Sequence, residues 1–171
     1  MVTGKMTTLG AGNFTVGTDI PAGLYNVTAG AGQSGNFIVN GGDSYNEVLG
    51  SADGLGVPEV RARLRKGDKI ELSGLSSVTF TPVATPYVTT VKVVDLYAGT
   101  WIVGQDIAPG RYVATPGAGQ SGNFIVNAEG IDEILGSADG IGVPNVTVTL
   151  HKGDVIQIAG LARVVMTPKT A

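Results

Sequence analysis

The sequence predicts an all-β protein built as two tandem small β-sandwich domains, jelly-roll-like and related by internal duplication. Three observations carry that expectation. The chain repeats itself: residues 5–40 align with 92–127 at 22 of 36 identical positions, and residues 49–82 align with 135–168 at 20 of 34. Apolar and polar residues alternate in Val60-Arg61-Ala62-Arg63-Leu64-Arg65 and keep the same phase in Val146-Thr147-Val148-Thr149-Leu150-His151. Period two over this length describes a strand with one buried face. Turn-forming residues interrupt such runs at short intervals, and no long segment has helical period.

The elements follow in order. The Pro21-Ala22-Gly23 turn opens a strand over 23–28, and Gly30-Ala31-Gly32 separates it from another over 37–40. Residues 45–49 and their copy 131–135 fit either a strand or one helical turn. Asp53-Gly54 and Lys66-Gly67-Asp68 bracket the alternating run that begins at Val60. Residues 68–73 alternate again, with Ile70 and Leu72 inward and Lys69 and Glu71 outward, and 78–82 form a further strand. Seven or eight short strands per unit imply a sandwich. The two copies differ in length by one residue, lost in the loop 41–45. The expected organisation is a first sandwich over 1–84, a short linker over 85–90 and a second sandwich over 91–171. A unit of about 80 residues has a thin core, so packing of the units together, oligomerisation or docking is expected to reinforce it.

Composition removes whole classes of chemistry. The 171 residues include no cysteine and one histidine, which excludes disulfides, thiolate zinc sites, cysteine nucleophiles and multi-histidine metal sites. A net charge of −3 gives no pull toward nucleic acid or anionic membrane. The residues after Met1 lack a signal pattern and no apolar run is long enough to span a bilayer. Folding in a cytoplasm is the resulting expectation.

Several motifs have a structural and a chemical reading. Gly30-Ala31-Gly32-Gln33-Ser34-Gly35 and its copy at 117–122 match GxGxxG, but a strand follows instead of the helix that would hold a phosphate, so an interstrand loop is expected. Ser51-Ala52-Asp53-Gly54 and Ser137-Ala138-Asp139-Gly140 offer one carboxylate each. Asp43 and Glu47, or Asp132 and Glu133, stand nearby at unshared spacing, and an Asp-Gly turn is expected rather than a calcium site. The aligned acids Asp19/Asp106, Asp53/Asp139 and Asp68/Asp154 all adjoin turns, where aspartate bonds backbone N–H groups; paired-carboxylate hydrolysis is not expected. His151 stands where the first copy has Arg65, and the exposed face of a strand is its expected home, with no triad around it. Acceptor patterns for glycosylation begin at Asn13, Asn26 and Asn145, and without a secretory signal they carry little meaning. No catalytic, cofactor-binding or metal-ligating residue is assigned. Period two places Arg61, Arg63 and Arg65 on one face with Lys66 beyond, against Thr147, Thr149 and His151 in the second copy. This stripe is either a solvated, charge-protected strand or a partner-docking face peculiar to the first unit.

The segment Ala98-Gly99-Thr100-Trp101-Ile102-Val103-Gly104-Gln105-Asp106-Ile107-Ala108-Pro109-Gly110-Arg111-Tyr112 resembles the start of a small all-β module. That module, an aromatic followed by Val-Gly, Asp-Ile, Pro-Gly and Tyr, occurs in secreted proteins and lipoproteins of actinobacteria and related Gram-positive bacteria, and in virion proteins of their bacteriophages. The first unit carries a looser copy from Phe14 to Tyr25, with Pro21 one place early. Asp132-Glu133-Ile134 and the run from Val146 to Leu150 are similar to the module's middle. Many secreted members carry two cysteines; this chain has none, which suits a reducing cytoplasm. The resemblance implies a fold and no catalytic residues. With no signal, no cysteine, two compact copies and no repeated catalytic constellation, the expectation is a non-enzymatic bacteriophage virion structural protein. It would be a capsid decoration protein or a tail-associated accessory, made in the host cytoplasm, lying on the virion surface and docking by surface complementarity. Its expected partners are the major capsid protein or a tail protein, and further copies of itself, with no cofactor, nucleic acid, membrane or small-molecule substrate. The alternative expectation is an extracellular binding or adhesion module of a Gram-positive bacterial surface protein.

Overall fold

The computed structural model describes residues 4–50, 56–84, 88–136 and 142–169. The chain divides into two compact units, Met1–Ala84 and Thr85–Ala171. Each is all-β, and each has eight strands among the described residues. In the first these are β1 (Thr7–Leu9), β2 (Gly12–Thr15), β3 (Gly23–Ala29), β4 (Gly35–Val39), β5 (Tyr45–Leu49), β6 (Glu59–Leu64), β7 (Lys69–Ser73) and β8 (Val78–Pro82). In the second they are β9 (Val94–Leu96), β10 (Gly99–Ile102), β11 (Gly110–Pro116), β12 (Gly122–Val126), β13 (Ile131–Leu135), β14 (Val146–Leu150), β15 (Val155–Ala159) and β16 (Val164–Pro168). The segments 45–49 and 131–135 are strands, and the helical character beside them is confined to the 3-10 turns Asn40–Gly42 and Asn127–Glu129.

Within the first unit the strands run in the orders β1-β8-β3-β6 and β2-β7-β4-β5, all antiparallel. The second unit repeats this as β9-β16-β11-β14 and β10-β15-β12-β13. Among consecutive strands of a unit, only the fourth and fifth stay in one sheet as a hairpin; every other connection crosses to the opposite sheet. That is jelly-roll topology.

Alternation decides which side chains fill the space between the sheets. In β7, Ile70 and Leu72 are buried while Lys69 and Glu71 are exposed. Phe37 on β4 meets Phe80 on β8 edge-on, with ring centroids 6.0 Å apart, so the contact joins the two sheets. Phe80 in turn packs edge-on against Tyr25 of β3. The second core gathers Tyr112, Phe124, Met166, Trp101 and Ile156 from both of its sheets. Burial of each such side chain contributes about 1.5–3 kcal/mol.

Two structural features recur in both units. A Cβ on Gly35 would lie 2.2 Å from the Ser73 carbonyl oxygen, and one on Gly122 would lie 2.3 Å from that of Ala159. Only glycine permits this approach of adjacent backbones. Tyr25, fully buried, donates from Oη to the Pro21 carbonyl at 2.7 Å, and Tyr112 donates to the Ala108 carbonyl at 2.8 Å. The acceptor is the fourth residue back in both cases, so the shift of proline between positions 21 and 109 leaves the anchor unchanged. Burial raises the Tyr112 phenol above its ordinary value.

Tyr112→Phe removes this bond and leaves a buried carbonyl without a donor. A loss of about 1–3 kcal/mol is expected in denaturant unfolding. Phe124→Ala, which opens a cavity in the core, is expected to cost about 3–5 kcal/mol.

Candidate functional site

The polar residues that recur in both copies are largely engaged with backbone. Asp19 Oδ2 accepts from the Thr15 N–H at 2.8 Å and Asp106 Oδ2 from the Ile102 N–H at 2.7 Å. Asp68 Oδ2 accepts from the Arg65 N–H and Asp154 Oδ2 from the His151 N–H, both at 2.8 Å. These are turn-capping bonds, as the position of each aspartate beside a turn predicts. Asp53 and Asp139, with the Ser-Ala-Asp-Gly motifs, lie outside the described residues.

The glycine-rich GxGxxG segments are clamps between loops. Gln33 Oε1 accepts from the Ser76 and Ser77 N–H groups at 2.9 and 3.2 Å. Gln120 Oε1 likewise accepts from Ala162 and Arg163 at 3.0 and 3.1 Å. Strands β4 and β12 follow these loops directly, where a phosphate site of this motif needs a helix.

The arginine stripe is not one solvent-facing row. On β6 the core side holds Val60, Ala62 and Leu64, as the alternation predicts, but Arg61 on the opposite face is also buried, at 7% exposure. Arg63 is half-buried, and Arg65 and Lys66 are exposed. The Nε atoms of both Arg61 and Arg63 are out of contact with solvent. The outer face here is lined by polar groups: Arg61 pairs across the ladder with Asn26, whose Nδ2 donates to Glu59 Oε2 at 2.7 Å. Period two identifies a face correctly, but it carries no information about what lies over that face.

A second cluster was not apparent in the sequence. His151 does not lie on a strand face. It opens the turn that leads from β14 to β15, and its backbone bonds Asp154 in both directions. Its ring Nδ1 lies 2.6 Å from Glu129 Oε1 and 4.0 Å from Asp154 Oδ2. Glu129 comes from the 3-10 turn between β12 and β13, the loop in which the copies differ in length. In the first unit the equivalent loop uses Asn40, which donates to Asp68 Oδ1 at 3.0 Å and accepts from the Lys69 N–H at 2.9 Å. The absence of shared spacing hid Glu129, since no counterpart stands in the first copy. The Glu129 hydrogen bond and charge raise the His151 imidazole above its ordinary value of 6.5. Among the described residues, Glu129, His151 and Asp154 are the His/Cys/Asp/Glu group whose ligand atoms converge, all within 4.8 Å of one another. Also among the described residues, no helix is long and apolar enough to cross a membrane.

Comparison with protein-family models, with curated proteins and with solved structures finds no match. The geometry and the sequence motifs alone therefore carry the functional reading.

Two outcomes follow from these contacts. Gln120→Ala leaves two loop amides without their acceptor and is expected to destabilise by about 1–3 kcal/mol by denaturant titration. Because the folded imidazole is raised, the His151–Glu129 contribution is complete below pH 6.5 and is lost as pH rises through the folded value. An NMR titration of His151 is expected to give a midpoint above 6.5, and Glu129→Gln is expected to return it toward that value.

Proposed function

We propose that this chain is a non-enzymatic structural protein of a bacteriophage virion, a decoration protein of the capsid or an accessory of the tail, which docks by surface complementarity. One observation carries the non-enzymatic half of this reading. Among the described residues, three recurring polar pairs, Asp19/Asp106, Asp68/Asp154 and Gln33/Gln120, accept backbone N–H groups. That use supports a scaffold role over a reaction centre. The virion half is supported by the resemblance of the run from Ala98 to Tyr112 to modules of phage virion proteins.

The proposed partner is the major capsid protein or a tail protein, with contacts between copies adding avidity over a symmetric particle. The docking face is drawn on the first unit, narrowed to the accessible part of the arginine stripe: Arg65 and Lys66, with Arg63 at its margin. Arginine suits an acidic partner surface because its planar fork pairs with carboxylates. Arg61 belongs to the buried support of that face.

Mass spectrometry of purified virions is expected to detect the chain, and its absence there would falsify the assignment. In a binding assay on particles lacking the protein, the double variant Arg65→Glu/Lys66→Glu is expected to weaken docking about tenfold or more, with a steep dependence on salt. Unchanged binding would remove this face from the interface. An in-frame upstream signal peptide in the encoding gene would instead favour an extracellular binding module.

A further inference from the structure

We propose that Glu129, His151 and Asp154 form a divalent transition-metal site of the zinc class, present in the second unit and lacking in the first. This inference does not depend on the virion reading.

The donors are already gathered. One imidazole nitrogen and two carboxylates place their ligand atoms within 4.8 Å of one another. Nδ1 of His151 faces both acids, at 2.6 and 4.0 Å, although the side chain is 67% exposed and has free solvent around it. Tetrahedral ligands at about 2.1 Å from zinc stand about 3.4 Å apart. To admit an ion, the Glu129 contact must open slightly and the Asp154 contact must close by a similar amount. Glu129 sits in a short turn, and the exposed ring of His151 can rotate, so both adjustments are local.

The frame is firmer than the donors. Asp154 Oδ2 is held by the His151 N–H, and the turn is tied to the neighbouring Val103 through Val103 N–H to Asp154 O at 2.9 Å and Gly153 N–H to Val103 O at 3.0 Å. The same turn exists in the first unit, with Asp68 on the Arg65 N–H and Gly67 bonded to Val16. There the side chain at the histidine position is Arg65, a permanent cation. The backbone frame is thus common to both units, and the ligand set belongs to one.

The donor chemistry narrows the ion. A nitrogen with two carboxylates suits zinc, nickel or cobalt, whereas calcium and magnesium prefer oxygen alone. Three protein ligands leave a position for water or for a donor from another molecule. Metal entry needs Nδ1 of His151 free of its proton, so where the ring is imidazolium binding releases a proton, and binding weakens as pH falls.

The sequence makes the test clean, because the chain holds one histidine and no cysteine. Zinc is titrated into the full chain, carried without a histidine tag, while His151 ring resonances and heat are followed. The expected result is saturable one-to-one binding with a large shift of the His151 signals, and no comparable effect of calcium or magnesium at the same concentration. His151→Arg installs the residue that the first unit carries in the same turn, so the fold is retained. It is expected to abolish the binding. Glu129→Gln is expected to weaken it about tenfold or more. Two results overturn the site: unshifted His151 signals up to about 1 mM zinc, or one-to-one binding that survives in His151→Arg.

Discussion

The turns at the ends of a small sandwich leave backbone N–H groups that no ladder can satisfy, and pairing them is the condition on which each unit depends. Short strands give many turns and few ladder bonds, and a thin core leaves little surplus stability to absorb an unpaired amide. In both units the same side chains meet this need. Two aspartates cap two turns, one glutamine serves two amides of a facing loop, and a buried tyrosine donates to a carbonyl four residues back. The identity between the copies at these positions has a physical cause, since a change at any of them exposes an unpaired backbone group.

The fold was legible because its determinants are periodic or repeated. Alternation located β6, β7 and their copies, turn chemistry bounded them, and the repeat showed that each unit stands as a whole sandwich. The choice at 45–49 and 131–135 stayed open because five residues suit either a strand or a turn; pairing with β4 and β12 decides it. The candidate sites were legible only in part. Arg61 and Arg63 share a face of β6, but Arg65 lies past the strand's end in the following turn, and Arg61 is buried, which depends on elements remote in sequence. Glu129 approaches His151 across a 22-residue separation, from a loop that has no aligned counterpart, so neither periodicity nor the repeat points to it.

Divergence between the copies is concentrated away from the cores. The exposed outer positions of β7 are Lys69 and Glu71; the matching positions of β15 are Val155 and Gln157. Thr147, Thr149 and His151 replace the arginines of the first copy. Most inward positions keep their apolar character, with Glu47, buried between Tyr45 and Leu49 on β5, an exception. Two units of one design therefore present different chemistry to their surroundings, which suits a chain whose two halves meet different neighbours.

The strand order also governs when each unit can fold. The first strand of each sandwich pairs with its last: Thr7 lies beside Phe80, and Val94 beside Met166. During synthesis, the sheet that holds a unit's first strand cannot close until the unit's final strand has left the ribosome, whereas the other sheet is complete one strand earlier. The first unit is therefore complete while the second is still being made, and the second must wait for β16. Contacts this distant in sequence make for slow folding. Until β8 or β16 arrives, β1 or β9 has no partner strand, and a neighbouring nascent chain offers the same complement. Rapid, crowded production of this protein thus carries a hazard of strand exchange between copies, set by topology rather than by any one residue.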